Sequence, residues 1–182
     1  MQIIHPDQFL RQPWKNGGGV THEIAKVMNG DTLLWRLSMA EVASDGPFSS
    51  FPGLTRCLTV IEGDGIDLEM PDGPLTANPL IPVHFSGDTP VTGHLHNGPI
   101  RDLNLIFDAA RITATVTPLT GPLTAQKTAK TNGDQQLFCV TGPVTANGHD
   151  LPPFALAGHN LLTVTLGPGA KALLIHLSPT RS

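Results

Sequence analysis

Short runs of hydrophobic and polar residues alternate with a period of two along most of this chain. From Trp35 the sequence reads Trp-Arg-Leu-Ser-Met-Ala, so Trp35, Leu37 and Met39 fall on one face of a strand and Arg36, Ser38 and Ala40 on the other. A second strand runs from about Arg56 to Glu62 and stops at Gly63-Asp64-Gly65, a hairpin signal. The connector Asp45-Gly46-Pro47-Phe48-Ser49-Ser50-Phe51-Pro52-Gly53 cannot be helical, because two prolines and two glycines break it. Its two phenylalanines predict that it is packed rather than free. The result is an Arg36/Ser38 face brought close to Arg56.

The same pattern predicts strands elsewhere. Residues 3–10 read as an edge strand or a short turn, and Trp14 to Gly19 as a loop. A strand over Val20–Val27 is followed by a turn at Asn29-Gly30-Asp31. Ile66, Leu68 and Met70 alternate with Asp67 and Glu69, which gives that strand one wet face. Pro71-Asp72-Gly73-Pro74 turns the chain again. Ile81–Phe85, Val91–His96, Asp102–Phe107 and Arg111–Val116 follow as short strands. Thr117 to Asp134 is polar and broken by Pro and Gly, and reads as the most mobile segment. Gln136–Val140, Asn160–Leu166 and Ala172–Leu177 complete the set, and no long amphipathic helix is predicted. A strand ending in Gly recurs at Cys57–Gly63 and Phe138–Gly142, each followed by a second Gly-linked strand near Phe85 and Phe154. This repeat suggests a single domain over 1–182 built from two barrel-like halves, about 1–110 and 111–182.

Composition narrows the classes. At 182 residues, with 40% hydrophobic and 14% charged, the chain can bury a sizeable core and is not disordered. A net charge of −4 with no basic patch argues against a nucleic-acid partner. The first residues have no apolar signal core, and no run is long enough to span a membrane as a helix, so a cytoplasmic location is expected. Cys57 and Cys139 sit in apolar patterns and read as buried free thiols, a disulfide being the alternative.

Four groups of residues have chemical potential. Lys15, Arg36 and Arg56 form a cationic set suited to a carboxylate. The alternative is that the arginines are solvated or pair internally with Asp102 or Glu23. Asp102 and Asn104 share one face of a strand while Leu103, Leu105 and Phe107 share the other, so they either line a cavity with Ser38 or meet solvent. Ser38 has no nucleophile elbow around it. In Trp14-Lys15-Asn16-Gly17-Gly18-Gly19 the glycines allow close backbone approach, or merely a turn. Trp14, Phe48 and Phe51 offer an aromatic wall for a flat ligand, or core. His94 and His96 share a strand face as metal ligands would, yet Asn97-Gly98-Pro99 follows at once and only Glu62, His84 and His176 remain as further ligands, by elimination. No metal and no cofactor are therefore expected.

Several ordered motifs carry a family resemblance: Trp14–Gly19 with Thr21 and Glu23, Trp35-Arg36-Leu37-Ser38, Asp45–Ser49 with Phe51-Pro52-Gly53, and Gly98-Pro99-Ile100-Arg101-Asp102-Leu103-Asn104-Leu105. Together they resemble the HutD/Ves family, clearly over residues 1–110 and by pattern beyond. The resemblance implies an all-β, cupin-type double-stranded β-helix (jelly-roll). It also implies a non-enzymatic small-molecule-binding protein that modulates histidine utilisation. Urocanate, formiminoglutamate and histidine all carry carboxylates. Arg36, Arg56 and Lys15 would grip that group, and Asp102, Asn104 and Ser38 the nitrogen-bearing end. Trp14, Asn16, Phe48 and Phe51 would complete the pocket. The rival readings are a metal-dependent cupin enzyme on His94 and His96, and an interaction module whose open sheet edges pair with another chain, as in a homodimer.

Overall fold

The computed structural model describes residues 1–127, 133–158 and 163–180. These residues are all-β, with one 3-10 turn at Pro6–Gln8. No helix among them is long and apolar enough to cross a membrane. The chain forms two compact units, Leu10–Ala109 and Met1–Phe9 with Ala110–Ser182. Residues 1–9 thus belong with the second unit rather than with the half that follows them.

Strand β1 (Gln2–Ile4) opens the chain. The Leu10–Ala109 unit then comprises β2 (Leu10–Pro13), β3 (Gly19–Asn29), β4 (Thr32–Val42), β5 (Gly46–Pro47), β6 (Thr55–Glu62), β7 (Ile66–Glu69), β8 (Leu75–Ala77), β9 (Val83–Ser86), β10 (Thr92–Leu95) and β11 (Ile100–Phe107). They make two antiparallel sheets, ordered β2-β3-β4-β11-β6-β9 and β5-β10-β7-β8. Alternation decides which side chains go inward. Ala40, Val42, Leu58, Val60 and Ile100 of the larger sheet pack with Ile66, Leu68 and Ala77 of the smaller. Fully burying side chains such as Leu58, Ile66 and Leu68 contributes roughly 1.5–3 kcal/mol each.

The second unit continues with β12 (Ile112–Thr120), β13 (Leu123–Lys127), β14 (Asp134–Thr141), β15 (Val144–Ala146), β16 (His149–Leu151), β17 (Leu156–Gly158), β18 (Thr163–Leu166) and β19 (Lys171–Pro179). Its sheets run β1-β17-β14-β19-β12 and β13-β18-β15-β16. The same order therefore occurs twice. β9-β6-β11-β4 in one unit matches β17-β14-β19-β12 in the other, and β5-β10-β7-β8 matches β13-β18-β15-β16. The strands holding each half of the sequence repeat pair antiparallel, β6 with β9 and β14 with β17.

Two expectations change. Gly63-Asp64-Gly65 is not a hairpin: β6 and β7 belong to different sheets, and the glycines turn the chain from one to the other. Both have positive φ, +92° and +116°, and a Cβ on either would meet a backbone carbonyl oxygen within 3 Å. The Thr117–Asp134 stretch carries strand as far as Thr120, with Thr117 and Thr120 paired to Leu174 and Lys171 of β19, and again from Leu123 to Lys127, which pairs with β18 across a register shift. Residues 128–132 lie outside the described residues, as does the start of the Asn160–Leu166 strand. Cys57 and Cys139 are both buried free thiols, which burial pushes up to about 12 and about 11.

Candidate functional site

The inward face of the larger sheet is apolar at one end and polar at the other. Register shows why. Ile106 of β11 stands between Arg36 on β4 and Arg56 on β6, and Asn104 between Ser38 and Leu58. Asp102 stands between Ala40 and Val60. Paired residues share a face, so two arginines, a serine, an asparagine and an aspartate converge next to an apolar floor. They line a cavity of about 560 Å³. Trp14, Lys15 and Asn16 from the β2–β3 loop join them, with Phe48, Ser49 and Phe51 from the connector. All ten residues singled out for ligand binding in the sequence thus meet around one cavity within the Leu10–Ala109 unit.

The arginines differ in their partners. Arg36 donates from Nε to Glu23 across 2.8 Å and from an Nη to Gln12 across 3.2 Å. Lys26 also reaches Glu23, at 3.0 Å. A β-bulge between Glu23 and Ala25 places Glu23 and Lys26 on the same face although they are three apart. Burial opposes ionisation of Glu23, but Lys26 and Arg36 together hold its carboxyl below the usual value.

Arg56 has no carboxylate within salt-bridge distance among the described residues. It is 4% exposed and donates one Nη–H to the carbonyl of Ser49 at 3.1 Å, while its Nε is unpartnered. Three rings surround the guanidinium, Phe85 at 4.9 Å and Phe48 and Phe51 at 5.4 Å each. Burial lowers its pKa to about 10, which leaves it charged near neutral pH, with Asp102 opposing that shift and Arg36 adding to it.

Asp102 is fully buried, and neither carboxyl oxygen has a hydrogen-bond partner. Burial pushes its carboxyl up to about 7 against the pull of Arg56. The Oδ1 of Asn104 is likewise buried and unpartnered. Orphaned acceptors of this kind are rare in interiors, because each forfeits its hydration.

The loops are held firmly. Trp14 donates from its indole to Thr21 at 2.8 Å and meets Phe48 edge-on at 6.3 Å. Its ring lies against Gly19, where a Cβ would overlap the Glu41 carbonyl oxygen and press on the indole. The glycine run therefore seats Trp14. The connector is tied down by Phe48 N–H to Val91 and Phe51 N–H to Gly87, at 2.9 and 2.8 Å. Sequence reasoning passed over Phe85, Gln12, Ile106 and Ser49. Phe85 and Ile106 carried a signal in their alternation but no chemistry to single them out.

His94 and His96 lie elsewhere, on and just after β10. His94 bonds Asp45 through Nδ1 at 3.2 Å and Glu69 through Nε2 at 2.9 Å, so both ring nitrogens already face carboxylates. His96 bonds Asp67 at 3.1 Å. Among the described residues no three His, Cys, Asp or Glu side chains gather so as to hold a metal.

The HutD family model matches residues 7–176. The chain belongs to the HutD family. An uncharacterized 21.2 kDa protein in the hutC 3′ region of Pseudomonas putida is 40% identical over 119 residues, covering 63% of this chain and 62% of that one. Protein Ves of Escherichia fergusonii is 38% identical over 96 residues, 51% of this chain and 50% of that one. The matches thus span less than two thirds of these curated relatives. The solved structure of HutD from Pseudomonas fluorescens SBW25 (formate condition) superposes with a TM-score of 0.85 at 33% identity, covering 99% of both chains. In this HutD family member Trp14, Lys15, Asn16, Arg36, Ser38, Phe48, Phe51, Asp102 and Asn104 fall in the stretches that carried the resemblance, whereas Arg56 lies outside them.

Proposed function

We propose that this protein binds a small carboxylate-bearing metabolite in the Arg56 cavity and thereby modulates histidine utilisation in the cytoplasm. The observation that carries this reading is Arg56 itself. A guanidinium at 4% exposure, with no carboxylate partner and an idle Nε, lines a cavity of about 560 Å³. Holding a charge there is costly unless something completes it. A carboxylate does so with charge-assisted hydrogen bonds of about 1.5–3 kcal/mol each. Lys15 adds a second cation at the rim, while Arg36, whose charge Glu23 already matches, orients rather than attracts. Asp102, Asn104 and Ser38 receive the nitrogen-bearing end, and Trp14, Asn16, Phe48 and Phe51 enclose it. The hutC-region relative supports the pathway, with urocanate, formiminoglutamate and histidine as the candidates.

A thermal-shift titration with these three acids tests the reading. One of them is expected to raise the midpoint saturably by several degrees, an effect lost in Arg56→Ala and unaltered by chelator. Flat titrations with all three would refute it.

A further inference from the structure

The acceptor side of the cavity specifies more than a carboxylate site requires. Two of the residues that line the cavity carry three buried oxygens without a donor: both carboxyl oxygens of Asp102 and Oδ1 of Asn104. The residues paired with Asp102 on β4 and β6, Ala40 and Val60, are apolar and offer no donor. The charged groups around it are few. Arg56 on β6 is the charge it feels, Arg36 on β4 is matched by Glu23 on β3, and Lys15 reaches the cavity only from the exposed loop. A carboxyl group so placed, fully buried and without a hydrogen bond, is poorly stabilised as an anion and retains its proton.

We propose that the occupant of this cavity presents N–H donors to Asp102 and Asn104, and that its binding displaces a proton from Asp102 to solvent. The inference rests on the carboxylate reading above and deepens it. With Asp102 protonated, Arg56 is the uncompensated charge, and a ligand carboxylate neutralises it. A ligand that also carries a cationic nitrogen, such as an amidinium, imidazolium or ammonium, brings a second positive charge. That charge is balanced when Asp102 gives up its proton. The site therefore selects acids bearing a cationic N–H group over plain mono- and dicarboxylates, which bring no positive charge to balance an ionised Asp102. Asp102 and Asn104 become the specificity-determining residues. Its raised pKa of about 7 places the exchange in the physiological range.

The test is isothermal calorimetry on the intact protein, with whichever of urocanate, formiminoglutamate and histidine gives a thermal shift. Titrations are run at pH 6 and pH 8, each in two buffers of different ionisation enthalpy. The ligand's own titration, measured separately, is subtracted. Close to one proton should be released per molecule bound at pH 6 and almost none at pH 8. Affinity should strengthen by up to about tenfold per pH unit on the acid side of the transition. In Asp102→Asn the buffer dependence should vanish. Binding with no proton release, or with proton uptake, overturns this inference and leaves the carboxylate reading standing. Binding by none of the three acids overturns both. Should Asp102→Asn fail to fold, the wild-type proton count decides by itself.

Discussion

Arg36, which lines the cavity, pairs with Glu23 at 2.8 Å across neighbouring strands. Both side chains are largely buried, 15% and 12% exposed. Removing the carboxylate leaves a poorly hydrated guanidinium facing Arg56. Glu23→Gln is expected to destabilise the protein by about 1–3 kcal/mol, a fall of several degrees in melting temperature read by circular dichroism. Because the Glu23 pKa is depressed, the wild-type contribution is present above the ordinary glutamate value and is lost as pH falls through the lowered one.

Arg56 separates binding from folding. Arg56→Met keeps a long apolar stem among Phe48, Phe51 and Phe85 and removes a charge whose burial is unfavourable. Stability should change by less than about 1 kcal/mol in denaturant titration. Affinity for the carboxylate ligand should fall at least about tenfold in the same protein. Unaltered affinity would remove Arg56 from the site.

Asp102 gives the ligand-free protein an unusual pH response. Its folded pKa lies near 7, above the unfolded value of 3.8. The protonated form is favoured by folding, so its contribution is full below the unfolded value and is lost as pH rises through the folded one. The span is on the order of 4 kcal/mol. Asp102→Asn should flatten the stability profile between pH 4 and pH 7, as measured by urea unfolding at several pH values.

His94 is exposed and held between two carboxylates. Hydrogen bonds to Glu69 first and Asp45 second raise its pKa above 6.5. Its charge supports the fold below the unfolded pKa, and that support is lost as pH rises through the raised value. Ring NMR should place its midpoint above that of a free histidine, and Glu69→Gln should bring it back down.

Gly87 holds the connector. Its carbonyl accepts from Phe51 N–H and from Ser50, and its N–H donates to Leu54. A Cβ there would overlap the Phe51 carbonyl oxygen. Gly87→Ala should push Phe51 off Arg56, costing about 1–3 kcal/mol of stability and weakening ligand binding, both read in one thermal-shift titration.

Much of this site was legible because alternation on two strands is strict. Arg36 with Ser38, and Asp102 with Asn104, fall on single faces whatever the tertiary structure. Which face points inward was not legible. On β6 both Leu58 and Val60 and their neighbours Cys57 and Thr59 are buried, so hydrophobicity assigns no parity to Arg56. The bulge at Glu23–Ala25 was invisible for a related reason. Strict alternation would send Glu23 and Lys26 to opposite faces, and only the inserted residue Ile24 lets both meet near Arg36. The end of β12, beyond Val116, and the whole of β13 were missed because threonine suits both turns and exposed strands, and Pro118 and Pro122 read as breaks. Proline at these positions sits where the ladder tolerates it.

Strand β1 is three residues long, yet it fixes how this protein can be divided. Gln2, Ile3 and Ile4 pair with Gly158, Ala157 and Leu156, and Ile3 packs on the core built by strands after Ala110. The backbone therefore crosses the border between its units twice, after Phe9 and again before Ala110. A cut at the second crossing frees neither piece, since the leading residues remain woven into the trailing sheet. The duplicated strand order looks modular, but its halves are not interchangeable cassettes. Truncation at residue 110 would deprive the trailing sheet of its β1 edge strand.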